Sequence, residues 1–492
     1  MQGSEGTRGQ AYVRGNRLVA HVGDWFYHFD ETGRLLMAAG PRQVVRRGFD
    51  NRLLQVTTPS FAAKRESVVA GAVGAAKRES AGAGAGAAQP GLGDGETDAT
   101  AVGTAEPGGV TSQGTTVIDP TVGALVYRTY HELDADEAAN FYRGAYAAAR
   151  RTLQAMMPTV DRDVAPGQAP WGEWGEWDRR LAHWSPEALA EDAAVFRTVY
   201  SPISILPPDQ YHALVVQVTL GCSYNKCLFC DFYRDRRFHI RSETELEAHL
   251  DHLIAFLGPR VADRKTVFLA DGNAFVVPTE RLIQMITQIR RRLSASVLAS
   301  GSTGSAGAEG LFDATGDIEF NAFMDTFTLE YKTPADLRRI YEAGLHMVYS
   351  GLETGSNRLR QFLGKPGTAE EAVEALNTLK AGGFRLGVIL LVGVGGPAAA
   401  DEHLVDTIEA LQRIAFTDGD VIYLSPFVDP DAITGYRETL TAGGFDSFTQ
   451  DGLAQELVRW RRALAAMQIA DGNARPLSAK VTLYSILEHI YG

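Results

Sequence analysis

The chain has 492 residues, of which 45% are hydrophobic and 22% are charged, so it has room for about three domains. Its formal net charge of −13 argues against broad nucleic-acid binding, which needs basic patches. No membrane span is expected, because the apolar stretch at 384–396 is too short and contains Arg385. Three cysteines and no signal peptide favour a cytoplasmic protein.

The first two hundred residues divide into three segments of different composition. Residues 1–57 form a small β-rich region, in which apolar and polar residues alternate from position 10 as in an antiparallel sheet. Residues 58–116 are rich in Ala, Gly, Ser and Thr and repeat AAKRES, so we expect a disordered insertion. Residues 117–200 carry helical patterns and are predicted to be a helical extension.

Residues 201–430 alternate between strand-like and helix-like patterns. Six apolar runs, at 212–219, 265–270, 317–324, 345–351, 384–394 and 421–426, are separated by helical stretches. This order predicts parallel βαβ units that curl into a partial or complete barrel, with eight-stranded barrels and open sheets as alternatives. A flexible insertion is predicted at 294–316. Residues 431–492 are predicted to form a helical extension that packs across the open side of the barrel.

All three cysteines of the chain lie within nine positions, as Cys222, Cys227 and Cys230. They follow the first barrel strand, and the carboxyl ends of such strands are where α/β proteins bind ligands. Three thiolates leave one iron of a four-iron cluster without a protein ligand. The alternative is a Cys3His zinc site with His239, in a zinc-stabilised binding protein on an α/β scaffold.

The loop GCSYNKCLFC, with Phe229 before the last cysteine, resembles the radical S-adenosylmethionine (SAM) superfamily. It looks closer to a sub-branch whose loops have four residues between the first two cysteines, whereas the commonest pattern in the superfamily has three. The resemblance implies a partial (β/α)6 TIM-like barrel, a [4Fe–4S] cluster and SAM, which chelates the open iron. In such enzymes an electron, from a donor such as flavodoxin or ferredoxin, cleaves SAM to a 5′-deoxyadenosyl radical. The radical then abstracts hydrogen from a small-molecule substrate, which we expect to be anionic.

The resemblance, together with the position of residues at the carboxyl ends of the strands, indicates candidate cofactor-binding residues. Besides Phe229, these are a turn after the second strand, an aspartate after the third, a glutamate in a GLETGS segment after the fourth and glycines after the fifth. In this chain they are Asp271, Gly272, Asn273, Asp325, Glu353, Gly393 and Gly395. Asp325 is expected to bind ribose hydroxyls or a substrate proton, and the two glycines to approach adenine. Several of these positions also suit ordinary turns and helix caps.

A basic run follows the third cysteine and contains Arg234, Arg236 and Arg237. Arginine suits carboxylates and phosphates, so the run is a candidate site for an anionic substrate or for the carboxylate of SAM. The alternative is a charged face in contact with solvent. The sequence assigns no catalytic acid or base.

Overall fold

A computed structural model describes residues 9–14, 16–58, 113–118, 125–157, 172–299, 311, 317–430, 433, 435–468 and 477–492. Most of the predicted insertions at 58–116 and 294–316 therefore lie outside the described residues. Within the described residues, an antiparallel sheet near the N-terminus precedes a parallel sheet. No helix in this part of the chain is long and apolar enough to cross a membrane.

The N-terminal sheet has eight antiparallel strands in the order β1-β2-β3-β4-β5-β6-β8-β7. They are β1 Gln10–Arg14, β2 Arg17–Val22, β3 Trp25–Phe29, β4 Leu35–Ala39, β5 Gln43–Arg47, β6 Leu53–Thr57, β7 Gln113–Ile118 and β8 Leu125–Glu132. The segment predicted as helical from residue 117 thus begins with a strand. The sequence of β8, LVYRTYHE, is rich in β-branched and aromatic residues, and this strand pairs with β6.

Three helices follow: α1 Ala135–Met156, α2 Gly172–His183 and α3 Pro186–Val199. Helix α1 begins at a capping box, in which Asp134 accepts hydrogen bonds from the first turn and Glu137 bonds back to the Asp134 amide. Its buried Tyr146 packs against Phe29 of the sheet, with the ring centroids 5.3 Å apart. One face of the sheet is therefore covered by helix.

The second sheet has seven parallel strands, which lie in chain order across the sheet. They are β9 Leu214–Gln217, β12 Val267–Ala270, β13 Phe320–Phe323, β14 Leu345–Glu353, β15 Arg385–Val392, β16 Val421–Pro426 and β17 Lys480–Leu483. The predicted α/β fold with a small β-rich N-terminal region is confirmed. All six predicted strands are present. The seventh, β17, comes from the C-terminal segment predicted as helical, and it pairs with β16.

Helices connect these strands: α4 Glu243–Leu257, α5 Thr279–Ala299, α6 Pro334–Glu342, α7 Asn357–Phe362, α8 Ala369–Ala381, α9 Gly396–Gln412, α10 Tyr436–Ala442 and α11 Gln450–Gln468. The short strands β10 Thr219–Leu220 and β11 His239–Ile240 pair with each other. They bracket residues 221–238, which we call the cysteine loop. Strands β9 and β12 are buried along their whole length, as expected for a parallel sheet covered on both faces.

The C-terminal segment crosses the gap between the two edge strands, β9 and β17. The Tyr484 hydroxyl donates a hydrogen bond to the Leu206 carbonyl at 2.8 Å, and the Tyr491 hydroxyl accepts one from the Val215 amide at 3.1 Å. At the amino end of the strands, Asp209 accepts hydrogen bonds from the hydroxyls of Tyr349 and Tyr423. These bonds link the segment before β9 to β14 and β16, and a cavity lies at the carboxyl end of the strands.

Candidate functional site

A cavity at the carboxyl ends of the parallel strands contains all three cysteines. Every strand of the sheet supplies part of its wall, directly or through the segment that follows it. The polar lining includes Asp325, Glu353 and Lys365, and apolar side chains such as Phe229, Phe323, Ile389, Leu391 and Phe427 complete it. A single cavity therefore joins the thiols to a small set of charged groups.

The start of the cysteine loop is fixed by a buried carboxylate. One oxygen of Asp271 accepts a hydrogen bond from the Gly221 amide at 2.9 Å, and the other accepts one from Gln217 Nε2 at 2.8 Å. Gly221 has φ +72°, and a Cβ there would lie 3.3 Å from the Arg237 carbonyl oxygen. Glycine is therefore required where the chain turns from the strand into the loop.

The surroundings of the three thiols determine their protonation in the absence of metal. Burial raises the pKa of Cys227 to about 11 and that of Cys230 to about 12, and burial followed by Asp325 raises the pKa of Cys222. Uncomplexed thiols here would be protonated and unreactive at neutral pH. Bound iron or another metal would hold them as thiolates.

Three thiols at one cavity are a donor set that suits a four-iron cluster. In the described part of the chain, no group of three or more His, Cys, Asp or Glu side chains is arranged to hold one metal ion. In a four-iron cluster each thiolate binds a different iron, so the three sulfurs need not converge on one point. His239, the fourth ligand of the zinc alternative, is exposed and contacts Glu245 at 2.9 Å. The donor set therefore fits a [4Fe–4S] cluster, and the zinc alternative is unsupported.

A buried ion pair lies beside the thiols. Lys365 Nζ is 2.8 Å from Glu353 Oε1, and the two side chains are only 5% and 8% exposed. Burial lowers the pKa of Lys365, but Glu353, Asp325 and Cys227 outweigh that effect and raise it above its ordinary value. Lys365 thus stays charged, and it is the single cation among the described residues that line the cavity.

The backbone of β14 directs Glu353 into this pair. The pairing of β14 with β15 shifts register between Gly351 and Glu353, and Glu353 has φ +64°. Such a bulge re-aims a side chain relative to the regular alternation of a strand. The Glu353 carboxylate lies over Gly351, where a Cβ would collide with Oε1.

Residues 216–411 match the family model described as the Radical SAM superfamily. This chain contains a radical SAM domain. Members of the superfamily use a [4Fe–4S] cluster and SAM, and the described thiols lie within the matched residues.

Relatives resemble only part of the chain. An uncharacterised methyltransferase of Pyrococcus horikoshii is 24% identical over 229 residues, which cover 45% of this chain and 43% of that relative. Coproporphyrinogen III oxidase from Escherichia coli, a radical SAM enzyme, has a TM-score of 0.37 and 16% identity, covering 56% of each chain. The radical SAM methyltransferase TsrM from Kitasatospora setae has a TM-score of 0.30 and 16% identity, covering 46% of this chain and 40% of its own. The chain thus spans less than half the length of the curated relative.

The radical SAM domain brings some of the sequence-predicted residues to the cavity. Phe229, Gly272, Asp325 and Glu353 line it together with the three cysteines. Gly272 lies close to the loop, because a Cβ there would be 3.2 Å from Cys222 Cβ. The predicted roles of these four residues in binding SAM stay predictions.

Other predicted residues lie behind the wall of the cavity. Asp271 is turned toward the start of the cysteine loop, and Asn273 donates to the Thr328 hydroxyl at 2.8 Å and caps the following turn. A Cβ at Gly393 would meet Leu453, and one at Gly395 would meet Leu359. Close packing against these leucines therefore explains why the two positions are glycine. Their contact with adenine remains a prediction.

The basic run does not line the cavity either. Arg234 donates to the Cys227 carbonyl at 2.8 Å and to the Cys230 carbonyl at 3.1 Å, so it braces the cysteine loop from outside. Arg236 contacts Asp271 at 3.2 Å and the Pro202 carbonyl at 2.7 Å. Arg237 is exposed. The anion-binding role predicted for these arginines stays a prediction.

Lys365 was not predicted as a site residue. It lies in the segment Gly364-Lys365-Pro366-Gly367, whose composition is typical of an exposed turn. Its position depends on helix α7, which carries the chain from Glu353 back to the cavity. The available signal was the short spacing between Glu353 and Lys365 on either side of one helix.

Proposed function

We propose that this chain is a radical SAM enzyme that uses a [4Fe–4S] cluster and SAM to abstract hydrogen from a small molecule. Cys222, Cys227 and Cys230 would hold the cluster. The observation that carries the proposal is that these three thiols share one cavity with Lys365, Glu353 and Asp325. The matched family model supports the general reaction and leaves the substrate unidentified.

When bound, the reduced cluster and SAM together supply a 5′-deoxyadenosyl radical. The residues of the chain would bind and orient SAM. Lys365 has three N–H donors and uses one on Glu353, so its charge can also hold the carboxylate of SAM. The oxygens of Glu353 and Asp325 can accept hydrogen bonds from the amino group and the ribose hydroxyls. The aromatic and aliphatic wall would exclude water from the radical.

The residues that line the cavity also indicate which class of substrate would fit it. Lys365 is the single cation among the described lining residues, and the carboxylate of SAM would use it. The residues that follow β16 and β17 add Phe427, Val428 and Ile486 to the wall. We therefore favour a substrate whose reacting part is apolar. An anionic group on it would lie outside the cavity, toward the arginines of the cysteine loop.

An electron donor such as flavodoxin or ferredoxin is part of the proposal. Lys226, Arg234 and Arg237 are exposed on the cysteine loop, which is the part of the chain nearest the thiols. Exposed cations suit the approach of an acidic redox protein, because complementary charge steers association.

The test is an anaerobic assay of the reconstituted protein with SAM and dithionite. We expect 5′-deoxyadenosine and methionine to form at a slow basal rate and to increase with the correct substrate. Cys227→Ala should lose both iron and cleavage, whereas Ser223→Ala, on an exposed residue of the same loop, should keep both. Formation of S-adenosylhomocysteine without 5′-deoxyadenosine would contradict the proposal and indicate polar methyl transfer. Zinc in place of iron in the anaerobically purified protein would also contradict it.

A further inference from the structure

A second cavity lies at the opposite end of the parallel sheet from the three thiols. The N-terminal sheet contributes Arg17, His28, Arg46 and Arg47 to it, and residues just before β9 and β12 contribute Tyr211, His212, Arg260, Asp263 and Arg264. Its volume is about 280 Å³. A water molecule takes a share of about 30 Å³ in the liquid, so the cavity has room for a small organic ion.

The lining carries an excess of positive charge. Five arginines line the cavity against two aspartates, Asp30 and Asp263. Arg47 pairs with Asp192 at 3.1 Å and Arg260 pairs with Asp30 at 3.1 Å. Arg17 and Arg46 form no ion pair with any described residue. Their charge is therefore available to a ligand.

Three buried donors of the lining lack hydrogen-bond partners among the described residues. One of them, Arg260 Nη1, faces Asp30 in an ion pair, and the other two are the Tyr211 hydroxyl and Arg46 Nε. The Arg46 guanidinium lies 5.8 Å from the centre of the Tyr211 ring, so the two groups are neighbours. Arg46 Nη2 is held by the Glu488 carbonyl at 2.5 Å, which fixes the side chain in place. Buried polar groups are nearly always bonded, so an acceptor that reaches these donors from the cavity would be stabilised.

The two histidines that line the cavity lie in the same positive electrostatic field. Burial and then Arg17 lower the pKa of His28, while burial and then Arg264, Arg17, Lys265 and Arg46 lower that of His212. Both rings are therefore neutral at neutral pH, and the positive charge of the lining comes from its arginines.

We infer that this cavity binds a small anion with a phosphate or carboxylate group, held by Arg46, Arg17 and the Tyr211 hydroxyl. Arg17 and Arg46 belong to the N-terminal sheet, whereas Tyr211 directly precedes the first strand of the parallel sheet. A bound anion would therefore join the two sheets. This site is separate from the thiols and does not depend on the chemistry proposed for them.

The test is calorimetric titration of the full chain, with its cluster reconstituted, using inorganic phosphate and then succinate at matched ionic strength. Arg46→Gln and Arg17→Gln remove the proposed contacts, and Arg338→Gln removes an exposed charge of helix α6 as the control. The visible absorbance of the cluster should be the same in all variants. A charge-assisted hydrogen bond lost from a desolvated site weakens binding by roughly tenfold or more, which we expect for Arg46→Gln. Arg17 is exposed, so Arg17→Gln should weaken binding about threefold.

Saturable binding that weakens in these two variants and not in Arg338→Gln supports the site. Binding of phosphate alone, of succinate alone or of both then identifies the group that the cavity accepts. If neither anion saturates, or if Arg338→Gln weakens binding as much as the other two, the inference is wrong. Should Arg46→Gln fail to fold, Arg17→Gln decides the outcome alone, because its side chain lies at the surface.

Discussion

Removal of the Lys365 charge should destabilise the protein and weaken its binding of SAM at the same time. In Lys365→Met the Glu353 carboxylate stays buried, near Asp325 and the thiols, without its cation at 2.8 Å. Both partners are more than nine-tenths buried, and the loss of one partner from such a pair costs about 3–5 kcal/mol. We therefore expect the free energy of unfolding in urea to fall by about that amount.

A second substitution distinguishes the effect of an unpaired buried charge on Glu353 from the effect of losing the Lys365 side chain. Glu353→Gln in the Lys365→Met background removes the stranded charge, so most of the lost stability should return. SAM affinity should not return, because neither residue can then hold the cofactor. Lys226→Met is the matched control: this lysine is exposed on the cysteine loop, and its change should alter stability by less than about 0.5 kcal/mol. If Lys365→Met costs less than about 1 kcal/mol, or if the double variant is as unstable as the single one, the buried pair does not have the role we assign to it.

Two further predictions follow from the packing and the charges. Gly351→Ala places a Cβ against Glu353 Oε1, so it should lower the free energy of unfolding in urea by about 1–3 kcal/mol and weaken SAM binding. Gly144→Ala is the control, because a Cβ at this position on helix α1 meets open space, and it should have neither effect. Equal effects of the two glycine variants would contradict this. Burial, followed by the charge of Asp30, raises the pKa of Glu31 from 4.5 to about 7. The folded protein therefore keeps this carboxyl protonated more strongly than the unfolded chain does, and the stability gained in this way is lost as pH rises through about 7. Glu31→Gln should therefore stabilise the protein by about 1–3 kcal/mol near pH 8 and by much less near pH 5, measured by urea unfolding at both values. An effect of the same size at both pH values would show that ionisation is not its cause.

The sequence predicted the parts of the fold that depend on local pattern. The six buried strands are continuous apolar runs, and the cysteine loop follows the first of them, so both could be located without tertiary information. Strand β17 could not be recognised in this way, because Lys480–Leu483 is short and becomes a strand only by pairing with β16. Strand β8 likewise depends on its pairing with β6.

The residues of the candidate site also divide into those that a local sequence pattern could identify and those that depend on tertiary structure. Cys222, Cys227, Cys230 and Glu353 carry local signals and lie at the cavity. Gly393 and Gly395 carry a local signal too, but their glycine character is explained by the side chains of Leu453 and Leu359. Arg234 could not be placed, because an arginine that binds carbonyls of its own loop has the same sequence pattern as one that binds a ligand. Lys365 was missed because burial of a turn lysine depends on tertiary structure.

We expect three thiolates to hold a four-iron cluster with one open iron at this cavity. The electron paramagnetic resonance spectrum of the reduced, reconstituted protein, recorded with and without SAM, tests this arrangement. We predict a [4Fe–4S] signal whose shape changes when SAM is added, because SAM can bind only to an iron that lacks a protein ligand. Lys365→Met should keep the signal and require more SAM for the change. A cluster signal that SAM leaves unaltered at saturating concentration would contradict this arrangement.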